Sequence, residues 1–289
     1  MKRLLSILLA VSLCLTAAAC SRGNNVSSNP GSANQNANSG VDSFFDSTTS
    51  EPEKPIDPSD ITYGVDLTID PNFDPNDEAA RYAIDFNSWE MYLANPWNKV
   101  PDSMLNLTAS SPELKKVEQR FRPDPANNTQ LYFDSRAVGY LHAMILAAEK
   151  DGINLDVISA YRTNTFQTSN FNNKVSRVMA ANPSLTREQA EVEAAKVVAR
   201  PGTSEHQLGL AVDFNSVEDS FRNTPAYAWL VKHCTDYGFI LRYDTTTQDK
   251  TGIIAEPWHY RFVGIKNAKM IEASGLCLEE FIKKYNTAA

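Results

Sequence analysis

The chain has 289 residues, of which 42% are hydrophobic and 21% charged, and its formal net charge is −8 at pH 7. That acidity argues against a nucleic-acid partner and against binding to anionic lipid by charge alone. With the first ~60 residues set aside for the reasons below, roughly 230 remain, enough for one well-buried domain with an N-terminal extension.

Lys2 and Arg3 precede an apolar run over residues 4–15, and Ala17, Ala18 and Ala19 lead directly to Cys20. This is the pattern of an export signal over 1–19, too short to read as a spanning helix. A cysteine directly after small residues resembles a bacterial lipoprotein box, with Cys20 as the lipidated first residue and a lipid anchor to the membrane. Ala17 stands where leucine is more usual, so ordinary secretion and an uncleaved anchor are the competing readings. All three place the rest of the chain outside the cytoplasm. Residues 20–60 are rich in Ser, Asn, Gly and Pro and then acidic. They cannot bury enough apolar surface to offset ordering entropy, and are expected to form a disordered tether reaching ~35 Å. An extension over 61–125 and a folded domain over 126–289 follow.

Within that domain, Asp134 reads as an N-cap or first-turn residue for a helix to about 150, with Val138, Leu141, Ile145 and Ala148 on one face. Asp151-Gly152 ends it. A short strand over 155–160 delivers Tyr161 and Arg162. A helix near 166–181 is broken by Pro183, and Thr186 with Gln189 forms a capping-box pattern for another helix to about 199. Pro201-Gly202 punctuates the chain before His206. Pro225 opens a helix to about 237, Gly238 closes it, and 239–243 is a strand. A hairpin-like connection leads to a strand over 258–263, and one or two helices finish the chain. Helices segregated from a small, largely antiparallel sheet indicate an α+β fold. Cys234 and Cys277 lie at no metal-ligand spacing; in an exported protein they form either a disulfide or two buried thiols.

Residues 209–214 alternate as a strand, with Leu210, Val212 and Phe214 on one face and Gly209, Ala211 and Asp213 on the other. The second face is too poor in apolar surface for core, but suits a metal and a substrate lying close to the backbone. Pro257 argues against a helix around Glu256, so Glu256-x-x-His259 is not a disguised HExxH helix. On the 258–263 strand, His259 and Arg261 oppose Trp258, Tyr260 and Phe262, which reads the latter aromatics as core. The two pieces converge if their strands are neighbours. His206, Asp213 and His259 would then form a three-ligand Zn²⁺ site with an open fourth position, and Glu256 would contact the water without ligating the metal. Ser204, His206, Gly209, Ala211 and Asp213 at roughly 5% each give a chance match of about one in ten thousand for a chain this long. The competing reading is a pair of histidines that merely cap the sheet. His142 and His233, each within a helix, read as structural, and Arg200 and Arg242 as either peptide-attracting or salt-bridged.

Ser204-x-His206-x-x-Gly209-x-Ala211-x-Asp213 followed by Glu256-x-x-His259 resembles the signature of the LAS metallopeptidases. Ser159-Ala160-Tyr161-Arg162 with Gln167, the run from Gly238 to Tyr243, and the run from Glu256 to Gly264 resemble the VanY-type D,D-carboxypeptidase branch. Asn95-Pro96-Trp97-Asn98 with Pro101, and Asp134-Ser135-Arg136-Ala137, extend the resemblance to roughly 90–286. The chain departs from that pattern at Ala160, where glycine is common, and in a helix-forming insert over about 170–200 that leads into the site.

The resemblance implies a zinc peptidase domain over 126–289 that removes the terminal D-alanine from peptidoglycan stem peptides. Glu256 would shuttle the proton, and Arg162 would stabilise the oxyanion, unless it is merely paired to a surface acid. Ser204 and Gln167 match positions that hold the terminal carboxylate, though they could equally be a turn and a helix-surface group. The expected enzyme is monomeric and exported to the cell surface or periplasm. The alternatives are an L,D-carboxypeptidase, a D,D-dipeptidase or a peptidoglycan endopeptidase of the same fold, or a non-catalytic wall-binding lipoprotein. Glu256 beside a full ligand set argues against the last.

Overall fold

The computed structural model describes residues 61–123 and 130–287. The expected signal, Cys20 and the tether to residue 60 lie outside the described residues. Among those described, no helix is long and apolar enough to cross a membrane.

The fold is α+β. Its centre is a four-stranded antiparallel sheet of β3 (Val157–Ser159), β4 (Ala211–Phe214), β5 (Phe239–Leu241) and β6 (His259–Phe262), in the order β3-β4-β6-β5. A second, two-stranded sheet pairs β1 (Leu114–Lys116) with β2 (Tyr132–Asp134). The alternating apolar residues do what the pattern predicts. After a short first helix, α1 (Glu78–Tyr82), comes α2 (Val138–Lys150), whose Leu141, Met144 and Ala148 join Val212, Phe214, Tyr260 and Phe262 in one buried core, shared by Ile61, Val100, Val117 and Phe121 from upstream. A second cluster joins Ile240 and Val263 to α7 (Ile265–Ser274) and α8 (Leu278–Tyr285).

The insert is a helical hairpin of α3 (Asn164–Ala181) and α4 (Arg187–Ala195) with its own small core of Phe171, Val175, Ala190 and Ala194. The Thr186–Gln189 capping box is present. Pro225 starts α5 (Pro225–His233), and Thr224 Oγ1 accepts from the Tyr227 N–H. Gly238 then turns the chain into β5 at φ +84°, where a Cβ would meet Phe262 Cε2 at 2.8 Å and the Gly264 carbonyl carbon at 3.0 Å.

Several local expectations shift. Asp134 is the last residue of β2 and does not cap α2, whose N-cap is Ala137; its carboxylate instead accepts from the Arg136 backbone and guanidinium. Helix α4 stops at Ala195, four residues short of the expected end, and α5 tightens into a 3₁₀ turn over Cys234–Tyr237. The connection before β6 contains a turn of helix, α6 (Gln248–Thr251). Cys234 and Cys277 are free thiols, not a disulfide.

Candidate active site

The β4–β6 register places Asp213 directly opposite His259, and the period-2 alternation of both strands turns the two side chains to one face. His206 arrives from the 3₁₀ turn Glu205–Leu208, which ends at Gly209 with φ +72°. Gly209 sits against Asp134, whose N–H donates to its carbonyl at 2.9 Å, and a Cβ there would lie 3.3 Å from that nitrogen. The turn therefore closes tightly over the start of β4. One ligand-type atom from each of His206, Asp213 and His259 lies within 4.8 Å of the other two.

Each imidazole has one nitrogen held and the other aimed at Asp213. His206 Nδ1 lies 2.8 Å from the Ala160 carbonyl, leaving Nε2 at 3.3 Å from Asp213 Oδ2. His259 Nδ1 lies 3.1 Å from Asp213 Oδ1, while its Nε2 is 3.3 Å from Glu205 Oε2. A carbonyl or carboxylate behind the far nitrogen is how metal-binding histidines are oriented and their tautomers set. Burial, then the Arg162 charge, holds His206 down at about 4, which favours a neutral ring. Burial also disfavours an imidazolium at His259, but its bonds to Asp213 and Glu205 outweigh this and raise it to about 9.

Two further residues, Glu205 and Arg261, belong to the centre although no sequence motif gives them a role in it. Glu205 Oε1 accepts from Arg242 Nε at 2.8 Å and from Arg261 Nη1 at 3.0 Å, and all three side chains have no exposed surface. Burial alone would raise the Glu205 carboxyl; the two guanidiniums outweigh it and hold the group ionised. Arg242 continues to Glu279 at 2.6 Å, and Arg261 Nη2 donates to the carbonyls of Glu90 and Tyr92. Arg242 is thus salt-bridged and deeply buried, not a surface attractant. Arg261 lies opposite Ala211 in register, where a small residue leaves room for a guanidinium. The sheet face poor in apolar residues is filled by this charged network. The signal for Arg261 is its alternation with Tyr260; the signal for Glu205 is only its place beside His206.

A cavity of about 700 Å³ opens over the cluster, lined by Arg162, Ser204, Glu256, Tyr243 and Trp258 as well as by the two histidines and Asp213. Glu256 Oε2 stands 3.8 Å from His259 Nδ1. Burial pushes its carboxyl up to about 8, with the Asp213 and Glu205 charges adding and those of His259 and Arg162 opposing. Arg162 Nη2 donates to Asp213 Oδ2 at 2.8 Å and to Ser159 Oγ at 2.7 Å, so the guanidinium is fixed inside the site. Ser204 precedes the 3₁₀ turn and faces the cavity. Gln167 is not among the lining residues; it is fully buried, with Nε2 donating to the Ala199 carbonyl at 2.7 Å and Oε1 unpartnered. Tyr260 is core, whereas Trp258 packs in the core and also borders the cavity. His142 bridges backbone groups, and Arg200 pairs with Glu191.

Comparison with known proteins points the same way. The family model described as VanY, D-alanyl-D-alanine carboxypeptidase, matches residues 130–265. A D-alanyl-D-alanine carboxypeptidase of Enterococcus faecalis is 37% identical over 203 residues, covering 70% of this chain and 69% of the relative. The solved structure of VanYB in complex with D-alanine-D-alanine aligns with TM-score 0.57 and 37% identity, over 70% of this chain and 100% of that one. A VanY D,D-pentapeptidase mutant from a VanB-type resistance cassette, in complex with Zn(II), aligns with TM-score 0.55 and 36% identity, over 68% and 99%.

Proposed function

This chain belongs to the VanY family of D-alanyl-D-alanine carboxypeptidases, and we propose that it is a zinc-dependent D,D-carboxypeptidase that cleaves the terminal D-Ala-D-Ala bond of peptidoglycan stem peptides. The observation that carries this reading is the buried His206–Asp213–His259 cluster with a raised carboxyl, Glu256, beside it in one cavity. The donor set fits zinc: two imidazoles and one carboxylate within reach of one another, each imidazole fixed through its other nitrogen. When bound, the ion supplies a Lewis acid that acidifies water and polarises the scissile carbonyl.

The remaining roles fall to this chain's own groups. Glu256, beside His259 in the cavity, takes a proton from the attacking water and returns it to the departing D-alanine amine as the C–N bond breaks. Arg162, positioned by Ser159, presents a fixed cation to charge that develops on the carbonyl oxygen. Ser204 would hydrogen-bond the terminal carboxylate, a role supported by its position in the cavity lining. Gln167 acts there only by steadying Ala199, a lining residue. All these groups come from one chain, so a monomer would carry a complete site.

The test is mass spectrometry of products from a pentapeptide, a tetrapeptide and D-Ala-D-Ala, with and without a chelator. Release of D-alanine from the pentapeptide alone, abolished by chelation, is the expected result. Cleavage of the tetrapeptide would indicate an L,D-carboxypeptidase, of the dipeptide a dipeptidase, and of neither peptide a wall-binding role. The exported, lipid-anchored location rests on Lys2, Arg3, the apolar run and Cys20. Cys20→Ser is expected to release the protein from membranes, and retention of that variant would refute the anchor.

A further inference from the structure

The insert is a wall of the active site, and its charges are unevenly partnered. Along α3, Gln167, Phe171 and Val175 form the buried stripe. Asn170 and Lys174 each come one residue before Phe171 and Val175, rotated by ~100°, and Arg177, three residues after Lys174, continues their stripe; all three line the cavity. The hairpin's other cations are engaged: Arg187 with Glu191 at 3.1 Å, Lys196 with Glu193 at 2.7 Å, Arg200 with Glu191 at 3.3 Å. Lys174 and Arg177 make no ion pair among the described residues. Glu218 and Asp219 also line the cavity, so it carries both signs of charge.

The stripe is held in place at both ends of the hairpin. Gln207 Nε2 donates to Asn164 Oδ1 at 3.1 Å, Gln167 Nε2 to the Ala199 carbonyl at 2.7 Å, and the Ile254 N–H to the Lys196 carbonyl at 2.8 Å. Two unspent cations on a braced helix, in a chain of net charge −8, are suited to an anionic part of a ligand. The cavity is also larger than two alanine residues require.

We infer that Lys174 and Arg177, with Asn170 beside them, recognise a carboxylate carried by the stem peptide upstream of its two D-alanines. This rests on the peptidase reading above and makes the insert a specificity element for acidic peptides. Lys174 contributes a point charge and Arg177 a planar fork that can grip both carboxylate oxygens, while Glu218 and Asp219 repel the anion from other parts of the cavity.

The experiment uses the full-length, zinc-loaded protein and two pentapeptides ending in D-Ala-D-Ala. They differ only in a free carboxylate or a carboxamide on the second residue. The wild type is expected to show the higher kcat/KM on the acid. The acid-to-amide ratio should fall roughly fivefold in Lys174→Ala/Arg177→Ala, as for loss of a partly exposed ion pair. It should fall with added salt and recover in Lys174→Arg/Arg177→Lys. A wild type without preference, or a ratio unmoved in the alanine pair, overturns the inference. D-alanine release from the amide peptide by the wild type reports separately on the peptidase reading. If neither peptide is cleaved, that reading fails and the inference with it.

Discussion

Asp213 and His259 are matched residues of β4 and β6, and their side chains meet at 3.1 Å. Backbone pairing therefore sets the ligand geometry, because a one-residue slip would turn Asp213 to the apolar face beside Val212 and Phe214. Asp213→Asn keeps the shape and removes the charge. Elemental analysis after gel filtration is expected to find the variant folded and depleted of zinc. Full zinc occupancy would contradict the ligand assignment.

Glu205 lies behind His259 and between two arginines. Glu205→Gln is expected to weaken zinc binding about 10- to 100-fold by loosening the imidazole. It should also lower unfolding free energy by about 3–5 kcal/mol, because Arg242 and Arg261 stay buried without their common counter-charge. A competitive chelator titration and urea unfolding read the two effects separately. Unchanged zinc affinity would limit Glu205 to a structural role.

Much of this centre is legible in the amino-acid sequence. The Ser-x-His-x-x-Gly-x-Ala-x-Asp spacing, the Glu-x-x-His pair and the alternation of both strands locate the three candidate ligands, because local periodicity decides which way a strand residue points. The capping box at Thr186 does the same for α4. The charged network is not legible there, since Glu205, Arg242, Arg261 and Glu279 are far apart in sequence and meet only through tertiary packing. Asp134 misleads for a related reason: a residue with N-cap chemistry is drawn into β2, where Arg136 satisfies its carboxylate. Gln167 reads in sequence as a helix-surface or substrate-facing amide, but the packing of the insert buries it.

His142 is a test of acid stability away from the site. Its Nε2 accepts from the Glu118 N–H at 3.3 Å and its Nδ1 lies 3.2 Å from the Ile61 carbonyl, so a second ring proton would face another donor. Burial holds its pKa at about 4, below the usual 6.5. The unfolded chain therefore takes up a proton that the folded chain refuses between these values. This contribution is complete above pH 6.5 and is lost as pH falls towards 4, by up to about 3 kcal/mol. Urea unfolding across that range should show a slope that His142→Gln flattens. An equal slope in both proteins would refute the assignment.

Arg162 is held by Ser159 and Asp213 in the cavity. At saturating zinc, Arg162→Ala is expected to lower kcat by ~10²–10³ with a smaller change in KM, as when an oxyanion donor is removed. A rise in KM with unchanged kcat would assign Arg162 to substrate binding alone.

The most direct test is the Glu256→Ala variant, measured for both zinc content and D-alanine release from pentapeptide. Glu256 stands beside the three candidate ligands without belonging to their cluster. Zinc content should match the wild type while turnover falls at least ~100-fold, the scale of a lost general base. Undiminished turnover with full zinc content would contradict the assignment of proton transfer to this carboxyl.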